Sequence, residues 1–204
     1  MPRVLSTADI SDFRERLCDA AEKLFADKGL EAVTLRHLAS ALGVSPMTPY
    51  RYFADKDAIL AAVRARAFNR HADALEAAYR DTDGDAGARA EATRRAYIDF
   101  ALENPEAYKL MFDVRQTSAD DYPELVRASS RSRRTMTQHL RVLRDIGRFE
   151  GDIETAGHIY WAGLHGAAML QLSGMLPPHL NAQALSEAIV AALDRSMKSP
   201  VKPA

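Results

Sequence analysis

Ser45, Thr48, Tyr50, Arg51 and Tyr52 place hydroxyls, phenols and a guanidinium close together in the chain, with the apolar tip of Met47 among them and Lys56 just beyond. Such groups at helical spacing suit hydrogen bonding to base edges and phosphate oxygens better than they suit bond-making chemistry. Catalytic sets are poorly supplied. The sequence has no His-x-x-x-His pair, Gly-x-Ser-x-Gly elbow, phosphate-cradling glycine loop or paired-carboxylate motif. His158 and His165 are seven apart and share a helix face, yet no third ligand stands at a recognisable spacing. An enzyme, a metal site and a resident cofactor are therefore not expected.

The polar set lies within residues 34–53, which read as two short helices joined by a tight turn. Thr34 is a good N-cap, and Leu35, Leu38, Ala39 and Leu42 form one apolar face. Gly43 sits where the first helix must stop and the backbone must take a positive φ. Ser45 caps a second helix with Pro46 at its first position, where a missing N–H costs nothing. This is a helix-turn-helix pattern whose second helix, Ser45 to Tyr52, would enter a DNA major groove. Two packed helices in any bundle would share the bare pattern; the outward tyrosines and arginine set this one apart. Lys56, in the first turn of the next helix, opposes the helix dipole unless an anion such as a phosphate compensates.

Flanking residues extend the pattern. The run Ala20-Ala-Glu-Lys-Leu-Phe25, Gly29, Val33-Thr34, Leu38-Ala39, Leu42-Gly-Val-Ser45, Tyr50-Arg-Tyr-Phe53, Asp55-Lys-Asp57 and Ile59-Leu60 closely resembles the N-terminal domain of TetR-family transcriptional regulators, over residues 11–71. The resemblance implies an all-helical homodimer, with a three-helix DNA-binding domain and a larger helical-bundle C-terminal domain that dimerises and binds a small-molecule effector. Matched residue by residue, it implies operator contacts from Ser45, Thr48, Tyr50, Tyr52 and Lys56, the last two on phosphates. Thr34 and Arg36 are added as phosphate candidates, and Met47 and Arg51 as base-reading candidates. Two departures stand out: Met47 replaces a usual glycine, and Pro49 a usual leucine or isoleucine. Met47 offers an apolar contact to a thymine methyl, and Pro49 removes one helix hydrogen bond.

The remaining chain supports a helical reading of about nine helices in all. Helices are expected near residues 9–28, 55–79, 88–103, 105–112, 123–146, 152–173 and 182–197, with the acidic, glycine-rich stretch 81–87 marking a boundary and residues 88–197 forming the C-terminal domain. Residues 1–8, the polar loop 113–121 and the tail 198–204 are expected to be loose. Trp161, His165 and Gly166 resemble the Trp-His-Gly signature of one branch of the family, and the small residues around them permit close helix approach at a dimer interface. Tyr108, Met111, Phe112, Met136, His139, Trp161, His165 and Met169 are candidates for an effector cavity, although the same residues would fill an ordinary core. Arg64, Arg66 and Arg70, and the arginines between 127 and 144, read as solvated faces.

Composition narrows the setting. The chain holds 27 Lys+Arg against 28 Asp+Glu; residues 1–70 hold 11 basic and 9 acidic side chains, leaving 16 and 19 for the remainder. The first part is thus weakly positive, in the direction a DNA-binding end requires. One cysteine, Cys18, excludes an intramolecular disulfide and fits a reducing, cytoplasmic location. No apolar run is long enough to span a bilayer. Double-stranded operator DNA and a small-molecule effector are the expected partners. Two other classes stay open at this point: a helical enzyme acting on an apolar compound in the C-terminal cavity, and a helical scaffold protein whose helix-turn-helix no longer reads DNA.

Overall fold

Among the described residues the chain forms eight α-helices: α1 (Thr7–Lys28), α2 (Leu35–Ala41), α3 (Lys56–Asp81), α4 (Ala86–Glu103), α5 (Pro105–Met111), α6 (Pro123–Asp145), α7 (Ile153–Leu172) and α8 (Ala182–Lys198). The computed structural model describes residues 7–112 and 121–198, and among these there is no β-strand. Ser6 and most of the segments expected to be loose (1–8, 113–121 and 198–204) lie outside the described residues. The expected count of nine is corrected at one place. Residues Ser45 to Tyr52 do not form an α-helix; only Pro49–Arg51 are helical, as a single 3-10 turn.

Proline chemistry accounts for that turn. An α-helix starting at Ser45 needs the N–H of residue 49 on the Ser45 carbonyl, and Pro49 has none. The Thr48 N–H takes that carbonyl instead, at 2.8 Å, and Arg51 and Tyr52 bond three residues back at 3.1 and 3.0 Å. The tighter spacing is the 3-10 pattern. Just before it, α2 closes in the manner its sequence predicts. The Gly43 N–H bonds the Ser40 carbonyl at 3.1 Å and the Val44 N–H bonds the Ala39 carbonyl at 3.0 Å, with Gly43 at φ 64°. This is a Schellman closure, and a left-handed residue there strongly favours glycine.

The chain forms two compact units that do not follow its order: residues 1–68 with 106–129, and residues 69–105 with 130–204. In the first, Leu17, Cys18, Ala21 and Phe25 of α1, Leu35 and Leu38 of α2, and Ile59, Leu60 and Val63 of α3 share one core, joined by Val33, Phe53 and Leu110. Cys18 is fully inside, and burial raises its thiol pKa, so it behaves as a small apolar residue. Arg66 does not point freely to solvent as expected. It bridges α3 to α1 through Glu15 at 3.1 Å and Asp19 at 2.6 Å. Arg64 likewise donates to the Met111 carbonyl at 2.9 Å.

In the second unit, Leu140 of α6 packs with Ile153, Ala156 and Tyr160 of α7, and Val190 and Leu193 of α8 lie against them. Gly163 lets α7 approach α8: a Cβ built there would stand 2.5 Å from Ile189 Cγ2. His71, from α3, is buried and shares a hydrogen bond between its Nδ1 and Ser132 Oγ at 2.9 Å, with Tyr97 and Phe100 edge-on to its ring. Burial pushes its pKa down to about 3. Arg131 is another arginine bound rather than solvated, held by Asp73 at 2.6 Å and by Glu76.

Candidate functional site

The turn after α2 presents its polar set outward. Ser45, Met47, Tyr50 and Arg51 are exposed, Met47 at 67% and Tyr50 at 49%, while Pro49 beneath them is buried. Large side chains held this far into solvent cost hydrophobic free energy unless a partner covers them. Thr48 and Tyr52 are half-buried. Ser45 Oγ accepts the Met47 N–H at 3.4 Å, which orders the entry to the turn.

One 3-10 turn has little stiffness of its own, so its orientation comes from behind. Arg14 of α1 donates Nη1 to the Tyr52 carbonyl at 2.6 Å and lays its guanidinium 4.2 Å from the Phe53 ring centre. Phe13 packs on the Tyr52 ring with centroids 4.5 Å apart. On the approach side, the exposed pair Thr34 and Arg36 flanks the start of α2. Thr34 Oγ1 accepts the His37 N–H and His37 Nδ1 accepts the Thr34 N–H, both at 3.3 Å. That is a capping box with histidine in the place usually held by Glu or Gln. Lys56 is half-buried, its Nζ donating to the Leu30 carbonyl at 3.1 Å, while Asp55 caps α3 through the Ala58 N–H at 2.8 Å. Thr34, Arg36, Ser45, Met47, Thr48, Tyr50, Arg51, Tyr52 and Lys56 thus all belong to one compact unit.

The effector candidates are distributed differently. Tyr108, Met111 and Phe112 belong to the first unit, where Tyr108 and Met111 are fully buried and Phe112 packs edge-on against Phe68 and Tyr108. Met136, His139, Trp161, His165 and Met169 belong to the second. Met136 and His139 line a cavity of about 230 Å³ walled by α4, α6, α7 and α8, together with Arg94, Tyr160, Leu164 and Asp194. Trp161 donates its indole N–H to Tyr97 Oη at 3.1 Å and lies beside His165. Met169 is exposed. Among the described residues no group of His, Cys, Asp and Glu is arranged to hold a metal ion, and no helix is long and apolar enough to cross a membrane.

Two family models match the sequence that builds these elements. Residues 17–63 match "Bacterial regulatory proteins, tetR family", and residues 90–193 match "Tetracyclin repressor-like, C-terminal domain". The chain belongs to the tetR family. Its relatives include the HTH-type transcriptional activator FasR of Mycolicibacterium smegmatis, 31% identical over 103 residues, which is 49% of this chain and 45% of FasR. The uncharacterized HTH-type transcriptional regulator YobS of Bacillus subtilis is 28% identical over 96 residues, 47% of this chain and 49% of YobS. The chain thus spans about half the length of the curated relatives it matches. Over nearly its full extent it is similar to a solved Rhodococcus protein of unknown function, at 26% identity and a TM-score of 0.78, covering 98% of this chain and 100% of that one. The TetR family transcriptional regulator PfmR of Thermus thermophilus shares the fold, at 23% identity and a TM-score of 0.63, over 92% of this chain and 100% of its own.

The matched family and its curated relatives are transcriptional regulators rather than enzymes, which weighs against the enzyme reading left open by the sequence. Sequence reasoning missed four residues that this tetR-family head depends on or that shape the cavity. Arg14 carries no signal in the sequence, and only the packing of α1 reveals its hold on Tyr52. His37 had a usable signal, three residues after the Thr34 cap. Arg94 and Asp194 gave none, since helix-borne charges usually face water.

Proposed function

We propose that this protein is a homodimeric repressor that a small-molecule effector releases from a pseudo-palindromic operator. The observation that carries the reading is the exposed row Met47, Tyr50 and Arg51 on a turn fixed from behind by Arg14 and Phe13. Thr48, Tyr50, Met47 and Arg51 read bases, with Ser45 at the edge of the set, while Tyr52, Lys56, Thr34 and Arg36 hold phosphates and set register. The DNA-reading domain is residues 11–71 and the dimerising, effector-binding domain residues 88–197. Half-sites lie about 34–36 Å apart, or a multiple of that.

Support for the dimer comes from α7. Ile159 and Leu170 are exposed at 42% and 39%, and nothing stands within 4 Å of a Cβ built on Gly166. These three positions fall within about 40° of one another around a helix of roughly 100° per residue. An apolar, small-residue strip of this kind suits a second copy. The same helix contains Trp161-Ala-Gly-Leu-His-Gly166, which we assign to the Trp-His-Gly branch of the family. The effector is bound in the second unit, which holds Met136, His139, Trp161, His165 and Met169, and acts by favouring a subunit arrangement that does not fit the operator. The setting is cytoplasmic.

FasR, named an activator, favours a second reading in which the bound protein raises transcription. A gel-shift against DNA flanking the gene, with a reporter fused to that DNA, tests both. Sequence-specific binding with reporter output rising on deletion of the protein supports repression; output falling supports activation. Binding to all DNA alike would leave a scaffold, and sedimentation of the free protein as a monomer would remove the dimer.

A further inference from the structure

The cavity walled by α4, α6, α7 and α8 carries its charges unevenly. Arg94 is buried, and its guanidinium is committed. It donates Nε and Nη2 to the two Glu91 oxygens at 2.7 and 2.6 Å, and Nη1 to the Gln183 carbonyl at 3.1 Å, to Gln183 Oε1 at 3.0 Å and to Ser186 Oγ. Glu91 stays ionised, its pKa pulled down to about 2 by the hydrogen bond from Arg94. The pair cancels. Asp194, which also lines the cavity and is exposed at its mouth, accepts a hydrogen bond from the phenol of Tyr160, a neutral group. His139 lies edge-on to the Tyr160 ring with centroids 5.6 Å apart, and burial lowers its pKa, so it adds no positive charge at neutral pH. Met136, Leu143, Leu164 and Val190 complete an apolar wall.

We propose that this cavity takes an organic cation, an amine with a compact hydrocarbon body, its nitrogen set against Asp194 and the Tyr160 ring. Among the described residues no Lys, Arg or His is ion-paired with Asp194; a carboxylate beside apolar walls attracts a cation more strongly than one wholly in water, and an aromatic face adds to the attraction. An anion of the same shape would meet Asp194 with only a spent guanidinium to offset it. The assignment rests on the reading of the protein as an effector-responsive regulator and names the effector's class.

The test titrates the full-length protein calorimetrically with 4-phenylbutylamine and with its isostere 4-phenylbutyrate, near pH 7. The amine should bind more tightly by about tenfold or more, and Asp194→Asn should erase that preference. Asp194 is exposed, so the variant keeps its core. Equal or tighter binding of the acid, no measurable binding of the amine, or a preference that survives in Asp194→Asn would each overturn the cation assignment. Leu164→Trp, which fills the cavity, separates that failure from a failure of the effector site. If the acid binds and Leu164→Trp abolishes it, the cavity is the effector site and only the charge class is wrong. If both compounds bind Leu164→Trp as before, the effector lies elsewhere and both readings fall.

Discussion

Replacing Lys56 separates two roles for one ammonium. In the free protein Lys56 Nζ donates to the Leu30 carbonyl at 3.1 Å, tying the start of α3 to the segment after α1. On an operator, we place the same charge on a phosphate. Lys56→Ala loses a half-buried hydrogen bond, for about 0.5–1.5 kcal/mol of stability. In a dimer it also removes two phosphate contacts, which flattens the slope of log K against log salt by about 1.8. The advantage of the wild type should therefore shrink about tenfold between roughly 50 and 200 mM salt, on specific and non-specific DNA alike. Fluorescence anisotropy against salt reads the slope, and thermal melting reads the stability. Lys56→Arg keeps charge and donor and should retain the slope; Lys56→Gln keeps a donor without charge and should lose it. If Lys56→Ala and Lys56→Gln keep the wild-type slope while melting lower, Lys56 is a structural brace and the phosphate role is wrong.

Three further perturbations probe the rest of the reading. Pro49→Ala restores the N–H that an α-helix would place on the Ser45 carbonyl, so the turn can lengthen. The ranking of operator variants should then change while non-specific affinity holds, and an unchanged ranking in competition gel-shifts would show that the 3-10 geometry does not set base preference. His71 titrates well below its unfolded value, so the unfolded chain binds the extra proton as pH falls. Stability from this residue is intact above about pH 6.5 and is lost on acidification, by about 2–3 kcal/mol between pH 7 and 4.5; urea denaturation of His71→Phe should show a flatter pH dependence, and an identical one would refute the buried-neutral assignment. Gly163→Ala gains about 1 kcal/mol of helix propensity but drives its Cβ to 2.5 Å from Ile189 Cγ2. Overpacking of about 1–3 kcal/mol should dominate, and Ile189→Ala in the same chain should recover part of it; strict additivity in the double-mutant cycle would mean that α7 and α8 do not meet there.

Much of the fold was legible because its signals are local. Thr34 and Gly43 mark the ends of α2 by capping chemistry that needs no partner elsewhere in the chain, and the termini of the eight observed α-helices fall within about two residues of the sequence reading. Pro49 was legible as a lost hydrogen bond but not as the loss of a whole helix. Position 46 is also proline, but at a first helical position its missing N–H costs nothing; the bond that would close the first α-turn is lost at Pro49. The ion pairs were not legible at all. Arg66 meets Glu15 and Asp19, and Arg131 meets Asp73 and Glu76, across tens of residues, so their spacing in sequence carries no trace of the pairing.

The shortened turn shifts responsibility for recognition onto α1. A longer reading helix fixes its side chains through its own ladder of i to i−4 bonds. Here, within Ser45 to Phe53, the α-type bond is Phe53 N–H to the Pro49 carbonyl at 3.0 Å, and that carbonyl is shared with Tyr52. Direction must come from Arg14 on the Tyr52 carbonyl and Phe13 on the Tyr52 ring. Tyr50 and Tyr52 therefore depend on one helix that touches no base in the proposed complex. A substitution at Arg14 would act on selectivity through position rather than contact, which makes α1 as much a part of the reading head as the turn itself.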